Sequence, residues 1–102
     1  MKKLKHKILY MKGTKKRVGD IKLIFQNIEY TLNLLHVSLL STNNCVTFLY
    51  SWGHIIIYTY PQDSIITVEF LYPIKEEKIE KMQAIILDIF QPIKHNIKEI
   101  TN

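Results

Sequence analysis

The sequence lacks a second cysteine, so Cys45 has no partner for an internal disulfide bond. We expect a reduced, small apolar residue of the kind found in cytosolic proteins. Only three glycines and three prolines occur among 102 residues, of which 47% are hydrophobic, and this excludes a disordered chain. No apolar run approaches the roughly 18 residues of a membrane span, and no secretory leader follows the basic N-terminus. We therefore expect a cytoplasmic protein with a single domain over residues 1–102.

The common motifs of catalytic and metal sites are also missing. The sequence contains no dinucleotide-binding glycine motif, no phosphate-binding loop and no serine nucleophile elbow. Four scattered histidines and one cysteine give no recognisable metal-ligand spacing, and no paired carboxylates suggest glycoside chemistry. We therefore expect no metal site. The histidines are His6, His36, His54 and His95.

Positive charge is concentrated at the N-terminus. Eight of the fourteen lysines and arginines lie within residues 1–17, whereas the chain after Arg17 carries six basic and nine acidic groups. A basic arm of this kind is able to bind nucleic acid, but it also serves simply to keep a chain soluble. It lacks the interleaved aromatic and arginine side chains that recognise bases, so we expect no nucleic-acid partner.

Residues 45–72 predict three short strands joined by two tight turns. Trp52-Gly53 is predicted as a two-residue hairpin turn, and Pro61–Ser64 as the second turn. Each turn fixes which residues lie opposite one another. The predicted cross-strand pairs are Tyr50–Ile55, Phe48–Ile57 and Thr47–Tyr58 at the first turn, and Ile57–Val68, Ile56–Glu69 and Tyr58–Thr67 at the second.

Alternation of side chains gives these strands two unlike faces. One face is almost wholly apolar and is predicted to be the core face. The other, here called the free face, mixes aliphatic side chains with tyrosines, a histidine and one carboxylate. This mixture is typical of a surface covered by another subunit or by a ligand. The core face comprises Val46, Phe48, Tyr50, Ile55, Ile57, Ile66, Val68 and Phe70, and the free face Cys45, Thr47, Leu49, Ser51, His54, Ile56, Tyr58, Tyr60, Ile65, Thr67, Glu69 and Leu71.

Tyr58 and Glu69 are predicted to be diagonal neighbours on the free face, within reach of a common ligand. The same register is also compatible with an ordinary exposed carboxylate beside an ordinary sheet tyrosine. The pattern alone leaves both interpretations open.

The flanking segments predict two helices and three further strands. Apolar residues at helical spacing follow Asp20, which is a favourable N-cap, and Gln91-Pro92 ends the second helix. The predicted elements are an edge strand over 5–11, a loop over 13–19, a helix over 20–34 with a stripe that reaches Leu35, a short strand over 36–40, a helix over 76–90 and a final strand over 93–100.

This order of elements predicts the α+β class, a two-layer sandwich in which two helices cover one face of an antiparallel sheet. The opposite face must then be covered by something else. A symmetric partner is the simplest cover, so we expect a homo-oligomer with ligand sites at or beside the junctions between subunits.

The segment from Trp52 to Gln62, WGHIIIYTYPQ, resembles the signature segment of single-domain bacterial S-adenosylmethionine decarboxylases, and residues 66–72 resemble the strand that follows it. In that family a self-cleaving serine becomes the pyruvoyl cofactor, and Gly53 occupies its position here. The processing histidine is replaced by Tyr58 and the proton-donating cysteine by Pro73. Without the serine the electron sink for decarboxylation cannot form, so the resemblance excludes a decarboxylase.

A scaffold of this kind without the pyruvoyl serine resembles the bacteriophage S-adenosylmethionine lyases, formerly called hydrolases. The resemblance implies cleavage of S-adenosylmethionine to 5′-methylthioadenosine and L-homoserine lactone without a cofactor, in homotrimers with sites between subunits. It implies an anti-restriction role in the cytoplasm of a bacterial host. Glu69 and Tyr58 are then the catalytic residues, and Ser51, His54 and Tyr60 are candidate substrate-binding residues.

Three other functions stay open. Glu69 is able to act as general base for water, which would give homoserine directly. A non-catalytic S-adenosylmethionine-binding subunit explains the missing serine equally well. The third is a small nucleic-acid-binding protein that uses the basic arm. Trp52 or Tyr60 is able to stack on adenine, although either also suits packing at an interface.

Overall fold

The computed structural model describes residues 3–14 and 20–100, which form six strands and two α-helices in the predicted order. Most of the predicted loop over 13–19 lies outside the described residues. In the part of the chain that the structure describes, no helix is long and apolar enough to cross a membrane. The elements are β1 (Leu4–Lys12), α1 (Ile21–Leu32), β2 (Ser38–Ser41), β3 (Cys45–Tyr50), β4 (Gly53–Tyr60), β5 (Ile65–Pro73), α2 (Glu77–Phe90) and β6 (Lys94–Ile100).

All six strands belong to one antiparallel sheet with the order β2-β3-β4-β5-β1-β6. β1 pairs with β5 on one side and with β6 on the other, so the prediction of an edge strand over residues 5–11 is wrong. The lysines that suggested an exposed edge do not all serve as one, since Lys7 is only 14% exposed and its Nζ lies 3.1 Å from Oε1 of Glu80 on α2. The lysine-bearing edge is β6, with Lys94 and Lys98.

The first hairpin turn lies one residue earlier than predicted. Ser51 and Trp52 form the turn, while Gly53 begins β4 and pairs with Tyr50. Phe48 therefore lies opposite Ile55, and the predicted pairs across this turn are wrong by two residues. The predicted pairs across the second turn are confirmed. Because a shift of two residues preserves the alternation, every side chain stays on its predicted face.

The core lies between the helices and the predicted core face, whose eight residues are all buried. The ring of Phe25 on α1 lies 6.2 Å from that of Phe48 on β3 and 6.3 Å from that of Phe90 on α2. These aromatic contacts tie both helices to the same face of the sheet. α1 ends at Leu32, before the left-handed residue Asn33, so Leu35 is 85% exposed and the prediction that it belongs to the buried stripe is wrong.

A buried carboxylate is held on this helical side of the sheet. Glu29 of α1 is 5% exposed and accepts hydrogen bonds from the hydroxyl of Tyr50 at 2.6 Å and from Nδ1 of His36 at 2.9 and 3.0 Å. Burial, and then the neighbouring Glu29, raises the pKa of Tyr50, so its hydroxyl stays protonated and donates. The network satisfies a charge inside the core, and its role is structural.

Candidate active site on the free sheet face

The free face is not covered in the way that the core face is. All twelve of its predicted residues are half-buried or exposed. β1 extends this face with His6, Ile8 and Tyr10, because these residues pair with the free-face residues Leu71, Glu69 and Thr67 of β5. Polar and aromatic side chains from three adjacent strands are thus brought together around one carboxylate.

Glu69 occupies the middle of the free face. Its strand, β5, lies between β4 and β1, and Glu69 is paired with Ile56 on one side and with Ile8 on the other. The side chain is 26% exposed, so its carboxylate, between the apolar side chains of Ile56 and Ile8, has restricted access to water. Such a charge is stabilised only by specific partners, which makes its contacts informative.

Two histidines supply these contacts from opposite sides. His54 of β4 and His6 of β1 both lie opposite Leu71 and are therefore diagonal neighbours of Glu69. Nε2 of His54 lies 3.2 Å from Oε2 of Glu69, and Nε2 of His6 lies 3.1 Å from Oε1. An ionised carboxylate only accepts hydrogen bonds, so in the hydrogen bond with His54 the hydrogen belongs on Nε2 of the imidazole.

Two tyrosines stand on the other side of Glu69. Tyr58 of β4 and Tyr10 of β1 both lie opposite Thr67, so a small side chain separates two large ones. Tyr58 is 39% exposed. Desolvation, followed by the nearby Cys45, Glu69 and Tyr60, raises the pKa of Tyr58. Its hydroxyl is therefore protonated at neutral pH and available both to donate and to accept.

Tyr60 and Ser51 lie farther from the carboxylate. Tyr60 pairs with Ile65, four residues along β4 from the position opposite Glu69, which corresponds to about 13 Å. An open cavity of about 430 Å³ begins there, lined by Asn44, Thr59, Tyr60, Pro61, Gln62 and Asp63. Ser51 is exposed in the β3–β4 turn, at the opposite end of the strand. Of the predicted site residues, the structure brings Glu69, Tyr58 and His54 together.

One face of the Trp52 ring is already covered by another side chain. It lies parallel to Tyr50, with ring centroids 4.5 Å apart and an interplanar angle of 8°. Tyr50 belongs to the core face, and Trp52 packs against the core cluster. We therefore interpret Trp52 as a packing residue of the β3–β4 hairpin.

Sequence reasoning missed His6 and Tyr10 as members of this site. Both belong to β1, which was predicted to be an edge strand and was therefore not placed beside Glu69. The adjacent apolar residues Ile8 and Leu9 indicate only that this strand presents apolar side chains to both faces of the sheet. Which strand β1 would pair with was not encoded locally.

No family model matches the sequence, and no curated protein matches it. The structure, in contrast, is similar to the crystal structure of the adenosylmethionine decarboxylase from Aquifex aeolicus VF5. The TM-score is 0.74 at 18% sequence identity, over 97% of this chain and 89% of that chain. The chain has the adenosylmethionine decarboxylase fold. The predicted α+β two-layer sandwich is thereby confirmed.

Within this adenosylmethionine decarboxylase fold, Gly53 lies against the backbone of β5. A Cβ atom at Gly53 would stand 2.0 Å from the carbonyl oxygen of Leu71 and 2.9 Å from its carbonyl carbon. The position that the sequence resemblance assigns to a self-cleaving serine thus has no room for any side chain here. Among residues 3–14 and 20–100, no group of three or more His, Cys, Asp or Glu side chains is arranged to hold a metal ion.

Proposed function

We propose that the protein is an S-adenosylmethionine lyase that forms 5′-methylthioadenosine and L-homoserine lactone. The observation that carries the proposal is Glu69, a partly desolvated carboxylate at the centre of the free face, with the protonated hydroxyl of Tyr58 diagonally beside it. The adenosylmethionine decarboxylase fold, together with a glycine where pyruvoyl chemistry requires serine, supports a reaction on the same class of substrate by another route.

The charges of the substrate suit this site. S-adenosylmethionine carries a sulfonium, an α-ammonium and a carboxylate, and so bears a net positive charge. We propose that Glu69 accepts hydrogen bonds from the α-ammonium while Tyr58 holds the carboxylate or the ammonium through its hydroxyl. Each oxygen of Glu69 retains a lone pair besides the one that faces a histidine. The ammonium is thus able to bind without displacing His54.

The proposed reaction needs no proton transfer and no cofactor. A substrate carboxylate oxygen attacks the γ-carbon, the bond from that carbon to sulfur breaks, and its electron pair neutralises the sulfonium. The products are a five-membered lactone and the thioether methylthioadenosine. The protein need only hold the tail bent, and such orientation is worth on the order of 7–11 kcal/mol of barrier lowering. Since opposite charges are consumed, restricted access to water favours the transition state.

Replacing Tyr58 with phenylalanine removes the hydroxyl and keeps the ring. We expect kcat/KM for S-adenosylmethionine to fall by about 10- to 100-fold in Tyr58→Phe, because one of the two groups that hold the tail is lost. The thermal midpoint should hardly change, since Tyr58 is 39% exposed. Initial rates of methylthioadenosine formation would measure the effect. Tyr30→Phe on α1, where the tyrosine is 89% exposed, is the matched control.

We further propose that a second copy of the chain covers the free face, in a homo-oligomer with sites between subunits. The support is the apolar surface of this face, where Leu4, Leu40, Leu49 and Tyr60 are between 37% and 58% exposed. A face that is apolar around a functional carboxylate is typical of an interface that also forms a site. Light scattering should show that the wild-type protein is an oligomer. The Leu49→Lys variant, which places a charge on the free face, should be a monomer. A monomeric wild-type protein would contradict the proposal.

Product analysis tests the proposed reaction. Purified protein is incubated with S-adenosylmethionine in water enriched in heavy oxygen, and early products are followed by mass spectrometry. Unlabelled homoserine lactone with methylthioadenosine is the expected result. The pair of His54 and Glu69, 3.2 Å apart, favours one alternative, activation of a water molecule. Early homoserine carrying the label would then establish a hydrolase, and unchanged substrate would leave a binding protein.

A further inference from the structure

His6 differs from His54 in how it meets Glu69. Nε2 of His54 makes a hydrogen bond with the carboxylate, whereas Nε2 of His6 lies at ion-pair distance, 3.1 Å, without the angle of a hydrogen bond. The same atom of His6 is shielded from solvent and has no other partner among the described residues. A buried polar atom without a partner is costly, so its position beside Glu69 calls for an explanation.

We propose that His6 is a positioning residue for Glu69. This inference rests on the proposed function, in which Glu69 binds the substrate. His6 and His54 flank the carboxylate diagonally from the two strands that neighbour β5, and each faces a different carboxylate oxygen. Once Nε2 of His6 also donates, the plane of the carboxylate is fixed from both sides and its remaining lone pairs are directed to the open side of the sheet.

Substrate binding completes the arrangement. A small rotation of the carboxylate or of the His6 ring converts the 3.1 Å contact into an aligned hydrogen bond, and contacts of this kind commonly tighten when a substrate is bound. The ammonium would draw Glu69 outward, and His6 would follow it as the second donor. His6 thus contributes to the pose of the substrate through Glu69, without touching the substrate.

The groups around this arrangement are few. On β5 and β4 the side chains that face Glu69 on the free face are Leu71, Thr67, Ile56, His54 and Tyr58, and on β1 they are His6, Ile8 and Tyr10. Beyond Ile8, β6 presents Lys98 in the same row of the sheet. Glu69 is therefore the one carboxylate in this neighbourhood of the described chain. The negatively charged group that His6 faces on this surface is thus Glu69.

Two substitutions of His6 separate positioning from packing. His6→Gln keeps an N–H donor near the place of Nε2, whereas His6→Leu keeps comparable bulk without a donor. We expect His6→Leu to lower kcat for S-adenosylmethionine by about 10- to 100-fold with a smaller change in KM, because the tail is still bound but less well oriented. His6→Gln should restore most of the rate. Equal rates in both variants and in the wild type would overturn the proposal, as would equal losses in both.

Nuclear magnetic resonance of the full chain, labelled with ¹⁵N at histidine, provides a readout that does not depend on turnover. The imidazole signals of His6 should shift in Glu69→Gln and stay unchanged in Glu99→Gln, a matched loss of an exposed carboxylate on β6. No response to Glu69→Gln would overturn the proposed contact. A clear response in a protein that does not cleave S-adenosylmethionine would support the contact and contradict the proposed function instead. For the measurements of activity, the control variant is His95→Gln, because His95 lies on the face of the sheet opposite to that of His6.

Discussion

Glu69→Gln is expected to reduce the turnover of S-adenosylmethionine by about 100- to 1000-fold. Glutamine has nearly the same shape as glutamate, but its amide carries no charge and offers one acceptor oxygen in place of two. The ion pair that we propose with the α-ammonium would be lost, and so would the contact with one of the two histidines. The measurement is kcat/KM from initial rates of methylthioadenosine formation.

The fold should survive this substitution. Glu69 is 26% exposed, and glutamine still accepts a hydrogen bond from one imidazole, so we expect a loss of about 1 kcal/mol or less in the free energy of unfolding. Glu99→Gln removes a carboxylate from the exposed edge strand β6 and should keep full activity. A Glu69→Gln variant that turns over substrate like the wild type would exclude Glu69 from the site. Both variants should be compared with the wild type at equal protein concentration.

Gly53→Ser is expected to destabilise the protein strongly and to give no decarboxylase. The new Cβ would stand 2.0 Å from the carbonyl oxygen of Leu71, which is backbone inside a paired strand and cannot rotate away. Either β4 or β5 must shift at the middle of the sheet. We expect the free energy of unfolding to fall by about 3 kcal/mol or more, at the upper end of the costs of overpacking. Denaturant unfolding followed by circular dichroism would measure the loss.

A matched substitution separates the clash from the chemistry of serine itself. Ala84→Ser introduces the same side chain at an exposed position of α2, where the change should stay within about 0.5 kcal/mol. Mass spectrometry of Gly53→Ser should show one intact chain. Two fragments that meet at residue 53, or stability equal to that of the wild type, would contradict the close approach of Gly53 to β5 and reopen pyruvoyl chemistry for this chain.

The faces of the central strands could be predicted from the sequence, and the exact turn could not. Alternation assigned Glu69, His54 and Tyr58 to one face and the eight buried residues to the other, and the structure agrees. The first turn was predicted one residue late, at Trp52-Gly53. Glycine favours turns in general, but here Gly53 lies in a strand, where its lack of a side chain lets the backbone of Leu71 come close. A local sequence pattern does not reveal such a contact between strands.

Polar residues inside the fold were also beyond local prediction. Glu29 lies on a helix whose spacing predicted a buried apolar stripe, yet it is 5% exposed because Tyr50 and His36 reach it from other elements. Burial of a carboxylate depends on partners that satisfy it. Those partners are 21 and 7 residues away in the chain.

By itself, then, the sequence determined the order of the elements, the two-layer class, and the face on which Glu69 and Tyr58 lie. These features follow from local periodicity, since side chains alternate along a strand and recur every three to four residues along a helix. Only the tertiary structure decided that β1 pairs with β5, and so that His6 and Tyr10 stand beside Glu69. Pairing between strands about sixty residues apart depends on the packing of the whole sheet, because many registers satisfy the local pattern equally well and only one closes the core.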